Sequence, residues 1–146
     1  MKSLIILLLI GFSLSYNTGG AISYAKKYCN HYNRNYHDYS RSGGDCANFV
    51  SQCLIAGGLK LGGCKGLDNK GAIPYVPNLR SCLQQKGWKH TQGVTNKFKA
   101  GYPFFEGNKH AMIATGVNGK TITYCGHTND RCNNKLVNSN YYYYYL

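Results

Sequence analysis

Acidic residues are scarce in this sequence. Five Asp and Glu side chains stand against seventeen Lys and Arg, which gives a formal net charge of +12 at pH 7. A glycosidase needs two carboxylates that flank the scissile bond, and so few acids make that chemistry a poor fit. The positive charge favours an anionic partner such as a wall polymer, an anionic membrane or an acidic glycan, with a merely solubilising surface as the alternative.

Several catalytic and ligand-binding motifs are missing, and each absence makes one class of protein a poor fit to this sequence. No G-x-S-x-G elbow, phosphate loop or calcium loop occurs, and no C-x-x-C pair or paired His spacing suggests zinc. We therefore expect no metal and no cofactor. No basic run is interleaved with aromatic residues as in a nucleic-acid module, so no nucleic-acid partner is expected.

The amino terminus resembles a secretory signal. Lys2 precedes the apolar run 4–10, and the small residues Ser13 and Ser15 follow it, as at a cleavage site. The run is shorter than the about 20 residues of a membrane span, so we predict secretion and no transmembrane anchor. The predicted division is a signal peptide at 1–15, one domain at 16–137 and a low-complexity Tyr-rich tail at 138–146, in a protein expected to be a monomer.

The cysteine count is odd. Seven cysteines lie beyond the predicted signal peptide, at positions 29, 46, 53, 64, 82, 125 and 132. In an oxidising compartment an even set should pair, so up to three disulfides and one leftover thiol are expected, with the connectivity open. A leftover thiol in a secreted protein is either an intermolecular link or a reactive group.

The segment around Cys46 predicts a capped helix. Gly43 and Gly44 make a turn, Asp45 is a favoured N-cap, and Gly57 with Gly58 ends the apolar stripe that follows. Cys46 would lie in the first turn, where unpaired backbone N–H groups and the helix dipole favour a thiolate. We therefore predict that Cys46 is the free cysteine, a nucleophile with a lowered pKa, whose own N–H could serve an oxyanion hole.

A base for this nucleophile is predicted on a hairpin. Strand-like runs at 111–117 and 120–126 are joined by Asn118-Gly119, a strong two-residue turn signal. That turn would place His110 directly across from His127, about 5 Å apart at Cβ. His110 could then act as base while His127 orients it, with Asn129 as the next candidate for the orienting group. A surface or structural pair is the alternative explanation.

Five segments of the sequence resemble the putative amidase domain of secreted bacterial proteins. They are 32–36 (YNRNY), 44–52 (GDCANFVSQ), 56–58 (AGG), 110–115 (HAMIAT) and 127–131 (HTNDR). That family resembles the NlpC-type cell-wall cysteine peptidases of the papain-like class. The resemblance implies Cys46 as nucleophile, His110 as base, His127 as third member and Tyr36 as an oxyanion or substrate contact.

Together these features predict an α+β fold of papain-like, NlpC-like type, with N-terminal helices, the nucleophile at a helix N-terminus and an antiparallel sheet behind it. The predicted function is cleavage of amide bonds, with peptidoglycan stem peptides, or another anionic cell-wall peptide, as substrate. Two alternatives stay open. One is a non-catalytic, disulfide-stabilised basic protein that binds wall or anionic membrane, and the other is an acyltransferase on the same cysteine.

Overall fold

The structure, a computed structural model, describes residues 15–137 and 139–146. The predicted signal peptide therefore lies, apart from residue 15, outside the described residues. Within them the chain forms three helices, α1 (Thr18–Tyr28), α2 (Cys46–Ala56) and α3 (Val76–Gln85). In these ranges no helix has both the length and the apolar character that a membrane crossing requires.

The strands follow the helices in the chain and form one antiparallel sheet. They are β1 (Lys89–Gln92), β2 (Pro103–Glu106), β3 (His110–Asn118), β4 (Thr121–Gly126), β5 (Arg131–Val137) and β6 (Tyr142–Tyr145). Their order across the sheet is β1-β6-β2-β3-β4-β5, with every neighbouring pair antiparallel. The predicted α+β class, with helices first and an antiparallel sheet after, is confirmed.

Helix α2 is buried along nearly its whole length and packs against β3. Its predicted start and stop are confirmed, because Cys46 is its first residue and Gly57 its C-cap. On the sheet, Ala111 and Ile113 are fully buried. Side chains alternate between the two faces of a strand, so these two residues share one face while His110 and Met112 share the other.

The Tyr-rich segment contributes a strand to the sheet. Its strand β6 lies between β1 and β2, and Tyr143 and Tyr144 are fully buried. Tyr143 stacks on Phe104 with ring centroids 5.3 Å apart, and the Tyr144 hydroxyl accepts a hydrogen bond from Arg80 Nε at 3.0 Å. Tyrosine has a high strand propensity, and here both faces of the strand are covered.

The predicted hairpin forms, but its predicted register is wrong. The turn consists of Gly119 and Lys120, so that Asn118 pairs with Thr121 instead of lying inside the turn. Gly119 has φ +59°, which fits a type II′ turn with glycine at its first central position. Val117 therefore pairs with Ile122 rather than Lys120, and an irregularity between Ala114 and Gly116 then moves the pairing back by one residue, so that Ile113 pairs with Cys125. Strand β4 then ends at Gly126, before any residue could pair with His110.

The cysteines pair in two disulfides, not three. These are Cys29–Cys132 and Cys64–Cys82, and Cys46, Cys53 and Cys125 are free and buried. The predicted free state of Cys46 is therefore confirmed, while the expectation of a single leftover thiol is wrong. Cys53 and Cys125 are fully buried members of the core, where a thiol packs as a small apolar group.

The two disulfides should differ in their effect on stability. Cys29 and Cys132 are 103 residues apart, whereas Cys64 and Cys82 are 18 apart. Loop-closure entropy predicts that replacing both members of the first pair by alanine lowers the free energy of unfolding by about 4–5 kcal/mol, against about 3 kcal/mol for the second. Chemical denaturation of the two double variants measures both losses. A larger loss from the Cys64–Cys82 pair would contradict the entropic explanation.

Candidate active site

The N-terminus of α2 is built by a glycine turn and a buried carboxylate. Gly43 and Gly44 have φ near +100°, a conformation that favours glycine, and Asp45 follows as the N-cap residue. The Asp45 side chain does not cap the helix. Its Oδ1 instead accepts hydrogen bonds from the Tyr39 backbone N–H and from Asn48 Nδ2, both at 2.9 Å. The carboxylate thereby fixes the incoming chain to the first turn of the helix.

Cys46 lies at the first position of α2 and is 7% exposed. Burial raises the pKa of its thiol, and backbone hydrogen bonds from Ala111, Ala47 and Cys46 itself only partly oppose that effect. The prediction of a lowered pKa is therefore wrong in direction, because loss of water outweighs the favourable helix start. Helix α2 packs against β3, and Ala111 is the neighbour of His110 in that strand.

His110 is the first residue of β3 and lines a cleft of about 310 Å³. The wall of this cleft consists of Glu106, His110, Met112, Tyr124, Thr128, Asn129, Arg131, Leu136 and Tyr141. Burial lowers the pKa of His110, and the negative charge of Glu106 acts in the opposite direction. The imidazole is therefore neutral near pH 7, which is the form that accepts a proton.

Glu106 is a partner of His110 that the sequence analysis did not single out. The two residues are direct partners in the pairing of β2 with β3, so their side chains lie on the same face. The turn 107–109 between two strand-like runs carried this information, since a short hairpin there places Glu106 opposite His110. Cys46 is not among the described residues that line their cleft, which opens on the face of β3 opposite to Ala111.

His127 does not face His110. Its Nδ1 lies 2.5 Å from Asp45 Oδ2, and its Nε2 lies 2.7 Å from the backbone carbonyl oxygen of Tyr28. The ring is 1% exposed and stacks on Phe49. Because both ring nitrogens are already bonded, His127 has none left to orient a second imidazole, and the predicted His110–His127 pair is wrong.

The loop after β4 brings Asn129 to the cleft instead. Thr128, Asn129 and Asp130 all have positive φ, which is uncommon for residues other than glycine. The loop is held by the Asp45 backbone N–H, which donates to Thr128 Oγ1 at 3.2 Å, and by the Tyr32 hydroxyl, which donates to Asp130 Oδ1 at 3.2 Å. Strained backbone held in this way is typical of functional sites, and Asn129 lines the cleft with His110.

Tyr36 does not line the cleft of His110. It lines a second cleft, of about 510 Å³, together with Ile55 and Gly58 at the C-terminal end of α2. The carbonyl oxygen of its neighbour His37 accepts a hydrogen bond from Asn48 Nδ2 at 2.8 Å, in the first turn of α2. The role of Tyr36 as an oxyanion or substrate contact stays a prediction. In the part of the chain that the structure describes, no group of three or more His, Cys, Asp or Glu side chains could hold a metal ion.

Comparison with known proteins adds a family match. A family model described as a putative amidase domain matches residues 15–145. Over 89 residues the chain is 32% identical to the uncharacterized protein YhbB of Bacillus subtilis (strain 168). The matched region is 61% of this chain and 24% of that protein, so the chain spans about a quarter of the relative's length. No solved structure matches the chain.

Proposed function

Because the chain belongs to the putative amidase domain family, we propose that it hydrolyses amide bonds with Cys46 as nucleophile and His110 as general base. The observation that carries this proposal is the packing of α2 against β3, in which Cys46 is the first residue of the helix and His110 the first residue of the strand. A nucleophile and a base on facing elements are the two parts that cysteine hydrolysis needs.

The pKa directions define the resting state of this pair. Burial raises the pKa of Cys46 and lowers that of His110, so near pH 7 the site holds a neutral thiol and a neutral imidazole. His110 then takes the thiol proton as the sulfur attacks the amide carbonyl. The first N–H groups of an α-helix have no acceptor within the helix, and we propose that of Cys46 as a donor to the oxyanion.

The remaining steps return the enzyme to its starting state. His110 gives its proton to the departing amine nitrogen as the C–N bond breaks, which leaves a thioester on Cys46. A water molecule then attacks the thioester while His110 accepts a proton from it. The C–S bond breaks, the thiolate takes the proton back from His110, and a carboxylic acid leaves. No oxidant, metal or cofactor enters this balance.

The proton transfer requires a movement of His110. Its ring lines a cleft on the face of β3 opposite to Ala111, whereas Cys46 contacts the backbone of Ala111. Rotation about the Cα–Cβ bond of His110, at the end of the strand, would carry the ring toward the thiol. Catalytic hydrogen bonds of this kind are often long in a free enzyme and tighten when substrate binds.

The substrate class that we propose is the stem peptide of peptidoglycan. The formal charge of +12 would draw the protein to an anionic wall, and the cleft beside His110 offers both Glu106 and Arg131 to a peptide that carries charges of both signs. Two disulfides support an oxidising compartment and therefore secretion, as does the signal-like amino terminus. A papain-like, NlpC-like arrangement of the helices and sheet is part of the same proposal.

A non-catalytic basic protein that binds wall or membrane is the second candidate. The two disulfides and the charge of +12 fit that function equally well. It differs from the enzyme in one respect, since a binder would leave every bond of the wall intact.

Incubation of the mature protein with purified peptidoglycan tests the proposal. We expect new carboxyl and amino termini in the stem peptides, identified by mass spectrometry, in equal amounts because each cleavage makes one of each. The alanine variant of Cys46 serves as the matched control and should release none. Wall binding by both proteins without new termini would establish the binder, and transfer of the acyl group to an added amine rather than to water would indicate an acyltransferase.

A further inference from the structure

His127 is held between two hydrogen-bond acceptors. Asp45 Oδ2 lies 2.5 Å from its Nδ1, and the Tyr28 carbonyl oxygen lies 2.7 Å from its Nε2. A carbonyl oxygen can only accept, so Nε2 must carry a proton. The remaining question is whether the proton between Nδ1 and Asp45 belongs to the imidazole or to the carboxyl group.

The partners of Asp45 assign that proton to the imidazole. Its Oδ1 already accepts two hydrogen bonds, from the Tyr39 backbone N–H and from Asn48 Nδ2, both at 2.9 Å. Donors of this kind favour the ionised form of a carboxyl group. With Asp45 ionised, Nδ1 is the donor in the third bond, and both nitrogens of His127 are protonated.

The surroundings of the ring favour a cation as well. The imidazole stacks on Phe49 with centroids 4.0 Å apart and lies 4.3 Å from the ring of Tyr32 at a tilt of 44°. Aromatic faces attract a positive charge, most strongly where water is excluded. Asp45 is fully buried and His127 is 1% exposed. A buried carboxylate needs a charged partner, and His127 lies in ion-pair contact with Asp45.

We infer that His127 is an imidazolium that neutralises Asp45 beside the nucleophile, and that it is therefore a positioning residue for Cys46. The ion pair ties the last residue of α1, the first turn of α2 and the loop after β4 to one point. The charge of Asp45 acts on Cys46, whose pKa it raises, and a cation at 2.5 Å from that carboxylate limits the effect. The other titratable groups that face the pair are Tyr32, Asp38, Tyr39 and Asp130.

The importance of this ion pair for catalysis rests on the proposed function of Cys46 as nucleophile. The experiments that test the ion pair do not depend on that function. Protonation of His127 and titration of Cys46 are measured without substrate. If the ion pair is found and Cys46 proves dispensable for hydrolysis, only the proposed function fails. If Cys46 is essential and His127 is neutral, only the inference fails.

The direct test is nitrogen NMR of protein labelled with ¹⁵N-histidine, with the His127 signals assigned through the bonded neighbours. We expect both ring nitrogens of His127 to carry a proton, because the Asp45 carboxylate and the Tyr28 carbonyl oxygen each accept from one of them. In Asp45→Asn, Nδ1 should lose its proton because the counter-ion is gone. An unprotonated Nδ1 in the wild-type protein would overturn the inference, and this measurement depends on no variant.

The second test measures the titration of the Cys46 thiol, by the rate of alkylation of its peptide against pH. In His127→Gln the charge of Asp45 is no longer balanced, so the midpoint should rise by about one pH unit. In the double variant Asp45→Asn/His127→Gln it should return to the wild-type value or below. His90→Gln is the matched control, since His90 stacks on Tyr144 and faces no residue of this network. An unchanged midpoint in His127→Gln would refute the neutralising role.

Discussion

Replacing Cys46 by alanine should lower kcat/KM for amide hydrolysis by at least about 10⁴-fold, the loss typical of removing a covalent nucleophile. Cys46→Ser should be nearly as inactive, since a hydroxyl is far less ionised than a thiol and His110 would have to remove a less acidic proton. The fold should persist, because alanine removes only the sulfur of a side chain at the first position of α2. Release of new amino termini from peptidoglycan measures the activity, and thermal unfolding checks the fold.

Cys53 provides a matched control for that experiment. It is also free, also buried and lies two turns further along α2. Cys53→Ala should therefore cost stability through lost packing while keeping hydrolysis within a few fold of wild type. Full activity in Cys46→Ala, or equal loss in both variants, would contradict the assignment of Cys46 as nucleophile.

The start of α2 could be predicted because the signals for it are local. Two glycines, an N-cap residue and two further glycines surround an apolar stripe, and each acts within a few residues of its own position. What these signals could not predict is the burial of Cys46 against Ala111, which depends on how the sheet meets the helix.

The hairpin shows how a small local error changes a site. Asn118-Gly119 does mark a turn, but glycine occupies its first central position rather than its second. Moving the turn by one residue shifts each opposed pair by two residues, so that Val117 pairs with Ile122, and the irregularity between Ala114 and Gly116 takes one residue back. The net shift of one residue at the far end of the hairpin is enough to exchange the two faces of a strand. Gly116 was the available signal for that irregularity, since a glycine inside a strand often marks a bulge. The predicted pairing of His110 with His127 depended on all these positions at once, and it failed for that reason.

The cysteine count failed for a different reason. An odd number of cysteines predicts a single free thiol only if all the others lie close enough in space to form disulfides. The distance between two cysteines depends on the fold. Cys53 and Cys125 are fully buried in the core without being bonded. A core thiol behaves as an apolar side chain, so neither needs a partner for stability.

The direction in which the pKa of Cys46 is shifted could not be predicted from its position at the helix start alone. A helix start lowers a thiol pKa, while burial and the neighbouring Asp45 raise it, and in this structure burial is the largest effect. Local sequence gives the first contribution and the fold gives the second. The bond between Asp45 and His127 joins residues 82 positions apart, and no spacing in the sequence pointed to it.

Replacing His110 by alanine should lower kcat/KM by about 10²- to 10⁴-fold, the usual contribution of a general base. The residual rate should then follow ionisation of the Cys46 thiol itself and increase with pH, because a thiolate needs no base. His90→Ala is the matched control, since His90 lies on β1 and is paired with Tyr144. Initial rates of peptidoglycan cleavage across a pH series measure the loss of activity and its pH dependence in both variants. An unchanged rate in His110→Ala would remove His110 from the mechanism.

Glu106→Gln separates the role of His110 as a base from a purely structural one. Burial lowers the pKa of His110, and the charge of Glu106 on the paired strand partly raises it again. Without that charge the pKa of His110 should fall further, so the neutral base persists to lower pH. The acid limb of kcat/KM, which reports the free enzyme, should therefore move to lower pH while the rate near pH 7 changes little. Asn129→Ala, in the same cleft, carries no charge effect and should leave the acid limb in place. An acid limb that does not move in Glu106→Gln would show that it belongs to another group than His110.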